Sequence, residues 1–365
     1  MRIVNYHPRA RVGDGGITNS VRRLAEAWAR QGAVPVIAFD GRGRPFDEDG
    51  VRWWPIRHVG RGALRVPVDG LGPLGGADWL VLNSAWTAAN LRLGAAARRQ
   101  RVPYVLAPRG AYDPLILQRR ARAKRVWWQL GERRLVADAA AVHVFFPEQG
   151  RHLDELEVPV RLLVAPNGVV PPGHTSWDGG SGGYVLYLGR YDPEHKGIDL
   201  LLRACAALPA GRRPQLRLHG SDWRGGRVRV EGLVADLGLA DVVTVGPPVH
   251  GEHKWRVVAR ARGLVYPSRW EGFGNSLAEA AALGVPCLAT PYPLARELGA
   301  AGACLVVPPT VEDLADGLRR LIAPQAAAVG QRARRHVAEH LGWDQVAASW
   351  LRQLAALGSA PRGVG

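Results

Sequence analysis

Two glutamates with seven residues between them flank a glycine-containing loop in the C-terminal half of the chain. Glu271 precedes Gly272-Phe273-Gly274, and Glu279 lies about one turn inside an Ala-rich helix predicted at 276–283. Free backbone N–H groups at a helix N-terminus bind anions, and glycines let a ligand approach the backbone closely. Carboxylates accept paired hydroxyl hydrogen bonds. Two solvated surface glutamates are the alternative, but the preceding strand-like run 263–266 and the glycines favour a sugar-nucleotide site.

A second cluster of charged residues occupies 189–199, after the strand-like run 184–188. It contains Arg190 and Lys196, six residues apart, at the carboxyl end of a strand, where open α/β sheets bind ligands. Fixed cations there would stabilise a diphosphate leaving group without a metal ion. Only three of the 48 basic residues are lysines, so a lysine in this position indicates a requirement for an ammonium group.

A glycine turn stands between the first strand and the first helix of the N-terminal half. The segment 12–17 includes Gly15 and Gly16. By itself such a turn is typical of a tight strand-to-helix connection. Here it would place a second amide-rich helix terminus opposite Arg190 and Lys196.

Alternating strand-like and helical segments predict an α/β protein of two similar halves, each with a parallel sheet covered by helices. A chain of 365 residues exceeds the usual size of one hydrophobic core. We expect an N-terminal domain over 1–170, a Pro/Gly/Ser-rich linker over 171–183 and a C-terminal domain over 184–342. A helix predicted at 343–357 would pack back on the first domain.

The composition is that of a globular protein, with 47% hydrophobic and 22% charged residues. Neither a disordered nor a fibrous chain fits these values. The three cysteines are widely spaced and lie among apolar residues, which indicates buried small side chains rather than disulfides or a zinc site. With no long apolar stretch or signal peptide, the sequence predicts a cytoplasmic protein.

Taken together these motifs resemble a known family, and the resemblance spans nearly the whole chain. Gly15-Gly16, the turn 166–169, Gly189-Arg190 with Lys196-Gly197, and Glu271-Gly-Phe-Gly-x4-Glu279 are similar to the retaining GT-B glycosyltransferases, glycosyltransferase family 4-like, which include bacterial hexosyltransferases. The resemblance implies two Rossmann-like domains facing each other across a cleft. It also implies residue roles: Arg190, Lys196 and Glu271 are catalytic, and the donor contacts are Gly15, Gly16, Arg109, Phe273, Gly274, Asn275, Ser276 and Glu279.

One residue departs from the family pattern. Arg109, in Ala107-Pro-Arg-Gly-Ala-Tyr-Asp-Pro114, stands where the family often has histidine. An arginine is not a general base near neutral pH, so its role is electrostatic or positional. The proton of the acceptor hydroxyl would then pass to the phosphate of the donor itself.

The net charge of +16 lies mainly in the first 175 residues, which carry +11. Part of this charge is in the segment 118–134, where basic residues alternate with Trp127 and Trp128. Such a segment suits an anionic lipid surface or an anionic acceptor, whereas a solvated basic helix with tryptophans in the core explains it equally well.

The sequence therefore predicts a metal-independent glycosyltransferase, without a cofactor, that moves a hexose from a nucleotide-diphosphate sugar to a hydroxyl. The acceptor would be a glycan, glycolipid or small molecule, anionic or lipid-linked, with peripheral contact to the inner face of the cell membrane. Two alternatives stay open, a sugar-nucleotide 2-epimerase of the same fold and a basic nucleic-acid-binding protein. No nucleic-acid-binding module or basic arm is evident, so we do not expect a nucleic-acid partner.

Overall fold

The computed structural model describes residues 1–11, 16–68 and 72–359. The chain forms two compact units. The first comprises Met1–Gly168 together with the terminal segment from Trp343, and the second comprises Val169–Gly342. The segment 171–183, predicted as a linker, belongs to the second unit, where the Trp177 indole donates to the Ala261 carbonyl at 2.8 Å.

The first unit is built on an eight-stranded sheet in the order β10-β9-β8-β7-β1-β2-β4-β3. All neighbouring strands pair in parallel except β3, which pairs antiparallel with β4. Its strands are β1 Arg2–Tyr6, β2 Val34–Asp40, β3 Phe46–Glu48, β4 Val51–Ile56, β7 Trp79–Asn83, β8 Tyr104–Ala107, β9 Ala141–Val144 and β10 Leu162–Val164, and a separate small hairpin joins β5 His58–Val59 to β6 Val66–Pro67.

Helices cover both faces of this sheet. Their bounds are α1 Gly16–Arg30, α2 Ala88–Arg99, α3 Pro114–Gln118, α4 Ala121–Trp127, α5 Arg133–Ala137 and α6 Arg151–Asp154. Alternate residues of the central strands point to opposite faces, so Ile3 and Val81 join one apolar core and Val4 and Leu80 join another. Because both faces of these strands are buried, their sequences are nearly continuous apolar runs.

The second unit contains a six-stranded, wholly parallel sheet in the order β13-β12-β11-β14-β15-β16. Its strands are β11 Tyr184–Leu188, β12 Gln215–His219, β13 Val243–Gly246, β14 Gly263–Tyr266, β15 Cys287–Ala289 and β16 Leu305–Val306. Its helices are α7 Pro193–Lys196, α8 Ile198–Ala207, α9 Gly226–Asp236, α10 Gly251–Ala259, α11 Asn275–Leu283, α12 Pro293–Ala300, α13 Val311–Leu321 and α14 Ala326–His340. Cys205, Cys287 and Cys304 are free and buried, as the sequence predicted.

The last helix, α15 Trp343–Ser359, returns to the first unit. Trp350 is almost fully buried there and meets the Trp28 ring of α1 edge-on, with ring centroids 5.6 Å apart. Trp350 also stacks on the His143 ring, with ring centroids 4.8 Å apart. The first unit is therefore made from two separate stretches of sequence.

None of the helices in the part of the chain that the structure describes is both long and apolar enough to span a bilayer.

Candidate functional site

The glycine loop after β14 leads directly into α11. Gly274 caps the helix with φ 99°, and a Cβ in its place would come within 2.8 Å of the Tyr292 ring. Glycine is therefore required on both backbone and steric grounds. Phe273 is buried under the loop, and Asn275 and Ser276 lie half-buried at the helix start. The first N–H groups of a helix lack partners within the helix, which is what an anion site needs.

Glu271 and Lys196 form a buried ion pair beside this loop. Both side chains are over nine-tenths buried, and Lys196 Nζ donates to Glu271 Oε1, which also accepts from the Ser268 hydroxyl at 2.6 Å. Burial alone would raise the pKa of Glu271, but the Lys196 ammonium and the Ser268 hydroxyl outweigh it and hold that pKa below its ordinary value. The carboxylate is therefore ionised at neutral pH.

Gly197 brings this pair together. Its φ is 65°, and a Cβ there would lie 1.9 Å from the Pro267 carbonyl oxygen. Only glycine lets the turn after α7 approach the end of β14 this closely. His195 stabilises the same contact between the turn and the loop, since its Nε2 lies 3.0 Å from the Trp270 carbonyl oxygen. The charged cluster and the glycine loop, separate in sequence, are thus joined into one site.

A second lysine pairs with the second glutamate of the motif. Lys254 Nζ on α10 donates to Glu279 Oε1 at 2.6 Å, and each side chain is about one-fifth exposed. The sequence prediction missed Lys254. The signal was available, because the rarity of lysine that singled out Lys196 applies equally to Lys254.

Arg190 lies on the same edge of the second sheet. The Tyr187 hydroxyl donates to its carbonyl at 2.9 Å, and its guanidinium stacks on the half-exposed Trp223 ring at 4.5 Å. Among the described residues it forms no ion pair with a carboxylate. Its positive charge therefore remains for a ligand, and stacking on an aromatic ring orients it.

The remaining predicted residues lie in the first unit. Arg109 follows β8 and bonds to the side-chain oxygens of Asn83 and Asn167. Gly16 is the first residue of α1, whereas Gly15 lies outside the described residues. The predicted site residues thus fall into two groups, one in each unit.

No group of three or more histidine, cysteine, aspartate or glutamate side chains in residues 1–11, 16–68 and 72–359 is arranged to hold a metal ion.

Two family models match the two halves of the chain. "Glycosyl transferase 4-like domain" matches residues 15–168 and "Glycosyl transferases group 1" matches residues 180–336. Together they cover most of both units. The chain belongs to the glycosyltransferase family 4-like enzymes, which have the GT-B fold. This bears out the resemblance carried by the glycine loop and its flanking glutamates, and it favours neither the epimerase nor the nucleic-acid-binding alternative.

Curated relatives agree with the family. The chain is 31% identical over 230 residues to an MMP α-(1→4)-mannosyltransferase of Mycolicibacterium hassiacum, covering 62% of this chain and 54% of that protein. It is 33% identical over 257 residues to a D-inositol 3-phosphate glycosyltransferase of Actinosynnema mirum, covering 63% and 60%. The matches thus span somewhat over half the length of these relatives.

Solved structures share the fold over nearly the whole chain. A sucrose-phosphate synthase from Thermosynechococcus elongatus superposes with a TM-score of 0.76 at 21% identity, covering 97% of this chain and 99% of that one. Anabaena HepE, solved with UDP and glucose, gives 0.73 at 16% identity, covering 98% and 100%. At these identities the likeness establishes the GT-B fold, with its two parallel-sheet domains.

Proposed function

We propose that this member of the family is a retaining glycosyltransferase that moves a hexose from a nucleotide-diphosphate sugar to a hydroxyl without a metal ion. The observation that carries the proposal is the pairing of both motif glutamates with lysines around the N-terminus of α11. A buried ion pair costs desolvation energy and is poor evidence of added stability. The buried Lys196–Glu271 pair and the partly exposed Lys254–Glu279 pair, both near the N-terminus of α11, are instead suited to a charged, hydroxylated ligand.

The donor would bind along this edge of the second sheet. Glu279 accepts the ribose hydroxyls, while Glu271 with Phe273 and Gly274 holds the hexose. Arg190 and Lys196 meet the diphosphate, with Asn275 and Ser276 at the helix terminus nearby. An ammonium has three N–H groups, so Lys196 can keep Glu271 and still donate to phosphate. HepE was solved with UDP and with UDP-glucose, which makes UDP the first nucleotide to test.

Transfer with retention needs no protein base in this arrangement. The bond from the anomeric carbon to the diphosphate oxygen breaks as the acceptor oxygen bonds to the same face of that carbon. The proton of the acceptor hydroxyl passes to the departing phosphate oxygen. Negative charge grows on the diphosphate during this step, so fixed cations stabilise the transition state more than the ground state.

The acceptor is proposed to be anionic or presented at a membrane surface. The segment 118–134 is not one helix, since α4 passes through a π-helical turn at Trp128–Glu132 into α5. Trp127 and Trp128 are half-buried, whereas Val126 and Leu130 are 60% and 74% exposed. Exposed apolar side chains among arginines are typical of a surface that contacts anionic lipid.

Glu279→Ala tests the donor site. Loss of a charge-assisted acceptor for the ribose hydroxyls costs about 1.5–3 kcal/mol, so nucleotide affinity should fall roughly 10-fold or more and the donor KM should rise. Binding is measured by thermal shift with UDP, GDP, ADP and dTDP, and turnover is measured with and without acceptor and with EDTA. Glu252→Ala, an exposed glutamate of α10, is the matched control.

Nucleotide affinity unchanged in Glu279→Ala would remove Glu279 from the site. Loss of activity in EDTA that a metal ion restores would disprove metal independence. Conversion of the donor sugar without any acceptor would point to the epimerase instead.

A further inference from the structure

A polar network joins the carboxyl ends of three strands in the first unit. Asn83, at the end of β7, accepts from Arg109 Nε at 3.0 Å and from Nη2 at 2.8 Å through Oδ1. Its Nδ2 donates to the Tyr6 carbonyl at 2.9 Å and to Asn5 Oδ1 at 2.6 Å. A carbonyl only accepts and a guanidinium only donates, so the orientations of both amides are fixed.

Arg109 carries a positive charge that no carboxylate neutralises. In the part of the chain that the structure describes, its hydrogen-bond partners are the amide oxygens of Asn83 and Asn167, and its guanidinium lies 5.6 Å from the centroid of the Phe145 ring. A guanidinium has five N–H donors, and three are used here. Burial lowers the pKa of Arg109 to about 10, which still leaves it charged at neutral pH. Its φ of 55° is strained for a residue other than glycine, as is common at ligand sites.

Asn5 adds a second unused donor. Its side chain is fully buried, its Oδ1 is taken by Asn83, and its Nδ2 has no hydrogen-bond partner. A buried donor without an acceptor costs about 1–3 kcal/mol. A ligand that supplies an acceptor recovers this cost.

His7 offers a lone pair nearby. The Thr18 hydroxyl donates to the Arg9 carbonyl at 3.2 Å, so at 3.4 Å it can only accept from His7 Nε2–H. Burial, with Arg109 and Arg9 close by, lowers the pKa of His7 to about 4, and the ring is neutral. Its Nδ1, buried and without a partner, therefore has a free lone pair. A lone pair repels an oxyanion but accepts a hydrogen bond from a hydroxyl.

We propose that Arg109, Asn5 and Asn83 form an oxyanion site for a phosphate or carboxylate group on a hydroxylated acceptor. Arg109 and Asn5 donate to the oxyanion, Asn83 holds Arg109 in position, and His7 Nδ1 accepts from a hydroxyl of the same molecule. The acceptor assignment rests on the proposed function, in which the second unit supplies its own cations, Arg190 and Lys196, to the donor diphosphate.

Thermal shift and calorimetry on the full chain test the site. The probes are glucose 6-phosphate, glucuronate and glucose, with inorganic phosphate as the bare oxyanion. Wild type should bind one of the two anionic sugars at least tenfold more tightly than glucose. Preference for glucose 6-phosphate would identify the oxyanion as phosphate, and preference for glucuronate would identify it as carboxylate. Arg109→Gln should lose this preference. Arg109→Lys, which keeps the charge without the planar fork, should retain part of it.

Two controls locate the effect. Arg92→Gln removes an exposed arginine of the same unit and should bind like wild type. Arg190→Gln removes the free cation of the second unit and should leave anionic-sugar binding unchanged while weakening UDP binding. The melting temperature of each variant without ligand reports its folding.

Four results overturn the proposal. The first is wild type that binds the anionic sugars no better than glucose. The second is an Arg109→Gln variant that still prefers the anionic sugar to glucose, and the third is loss of that preference in Arg190→Gln instead. If Arg109→Gln weakened UDP binding as strongly as anionic-sugar binding, the oxyanion would be the donor diphosphate and the acceptor assignment would be wrong. If the chain bound anionic sugars through Arg109 but bound no nucleotide, the oxyanion site would stand and the proposed function would be contradicted.

Discussion

At the residue scale, the three lysines of this arginine-rich chain all have specific contacts. Lys196 and Lys254 pair with the two glutamates of the motif, and Lys124 donates to the Ile116 carbonyl. An ammonium is a compact point charge, and a guanidinium is a planar fork. In a sequence with 45 arginines, these are the positions where the shape of the cation matters.

Lys196→Arg should lower kcat by one to two decades, although it conserves charge. Lys196 is 6% exposed and its Nζ lies 5.6 Å from the Tyr266 ring centroid, so a guanidinium has to displace Glu271 or the loop. A misplacement of about 1 Å can reduce a rate on the order of a hundredfold. The measurement is kcat at saturating donor and acceptor, with circular dichroism and melting temperature as folding controls. Wild-type turnover in a well-folded variant would show that the ammonium is not needed.

Lys254→Met should weaken nucleotide binding by about tenfold, because Glu279 would lose the partner that orients it. The double variant with Glu279→Ala should bind little worse than Glu279→Ala alone, since both changes affect one interaction. Calorimetry with the preferred nucleotide measures the cycle. Arg256→Met, an exposed residue of α10, is the control. Fully additive losses would mean that Lys254 does not act through Glu279.

Most residues of the proposed donor site could be named from the sequence, because a strand, a glycine loop and a helix are continuous along the chain. Their pairing could not. Nothing in the spacing of Lys254 and Glu279, 25 residues apart, shows that α10 places one beside the other. The network of Asn5, Asn83 and Arg109 was equally hidden, because it joins strands that are neighbours in the sheet and distant in sequence.

At the element scale, one buried carboxylate fastens the segment 118–134 to the first unit. Glu132 is fully buried and accepts from the Tyr112 hydroxyl at 2.7 Å, the Trp86 amide at 3.1 Å and the Trp127 indole at 3.2 Å. Burial raises the pKa of Glu132 despite these three donors. The anchor lies under the segment and leaves Val126 and Leu130 exposed.

Replacing Val126 and Leu130 together by glutamine should reduce sedimentation with phosphatidylglycerol-containing vesicles at least tenfold. Burying each side chain in lipid contributes about 1.5–3 kcal/mol, and the neighbouring arginines add a salt-dependent attraction. Val228→Gln removes a 71% exposed valine from the second unit and is the control. Wild type that stays in the supernatant, or equal sedimentation of all three proteins, would contradict membrane contact.

Strands and helices were easier to predict than their interruptions. β11 and β14 coincide with the predicted runs 184–188 and 263–266, because each is a short apolar run bordered by turn residues. The antiparallel β3 and the β5–β6 hairpin were missed, since neither has a buried face to give it an apolar pattern. The break at Trp128–Glu132 was missed as well. Gly131 within it has a non-helical backbone, and the neighbouring Glu132 bonds to partners 20 and 46 residues away, which the local sequence does not show.

At the scale of the whole molecule, α15 completes the core of the first unit. Trp350→Ala should lower the free energy of unfolding of that unit by about 3–5 kcal/mol, the usual cost of deleting a buried aromatic side chain. Chemical denaturation followed by tryptophan fluorescence measures the change. Arg352→Ala, two residues away and exposed, should have little effect. A loss below about 1 kcal/mol for Trp350→Ala would mean that the helix contributes little to the unit.

The return of α15 also fixes an order of events during synthesis. When residue 342 has been made, the second unit has all of its strands, whereas the first unit still lacks Trp343, Val346, Trp350 and Leu354. Domains usually fold in the order in which they emerge from the ribosome. Here the unit that emerges first is completed last. Until then the part of α1 that α15 covers, including the Trp28 ring, stays exposed on the nascent chain, and a product truncated before α15 would keep it so.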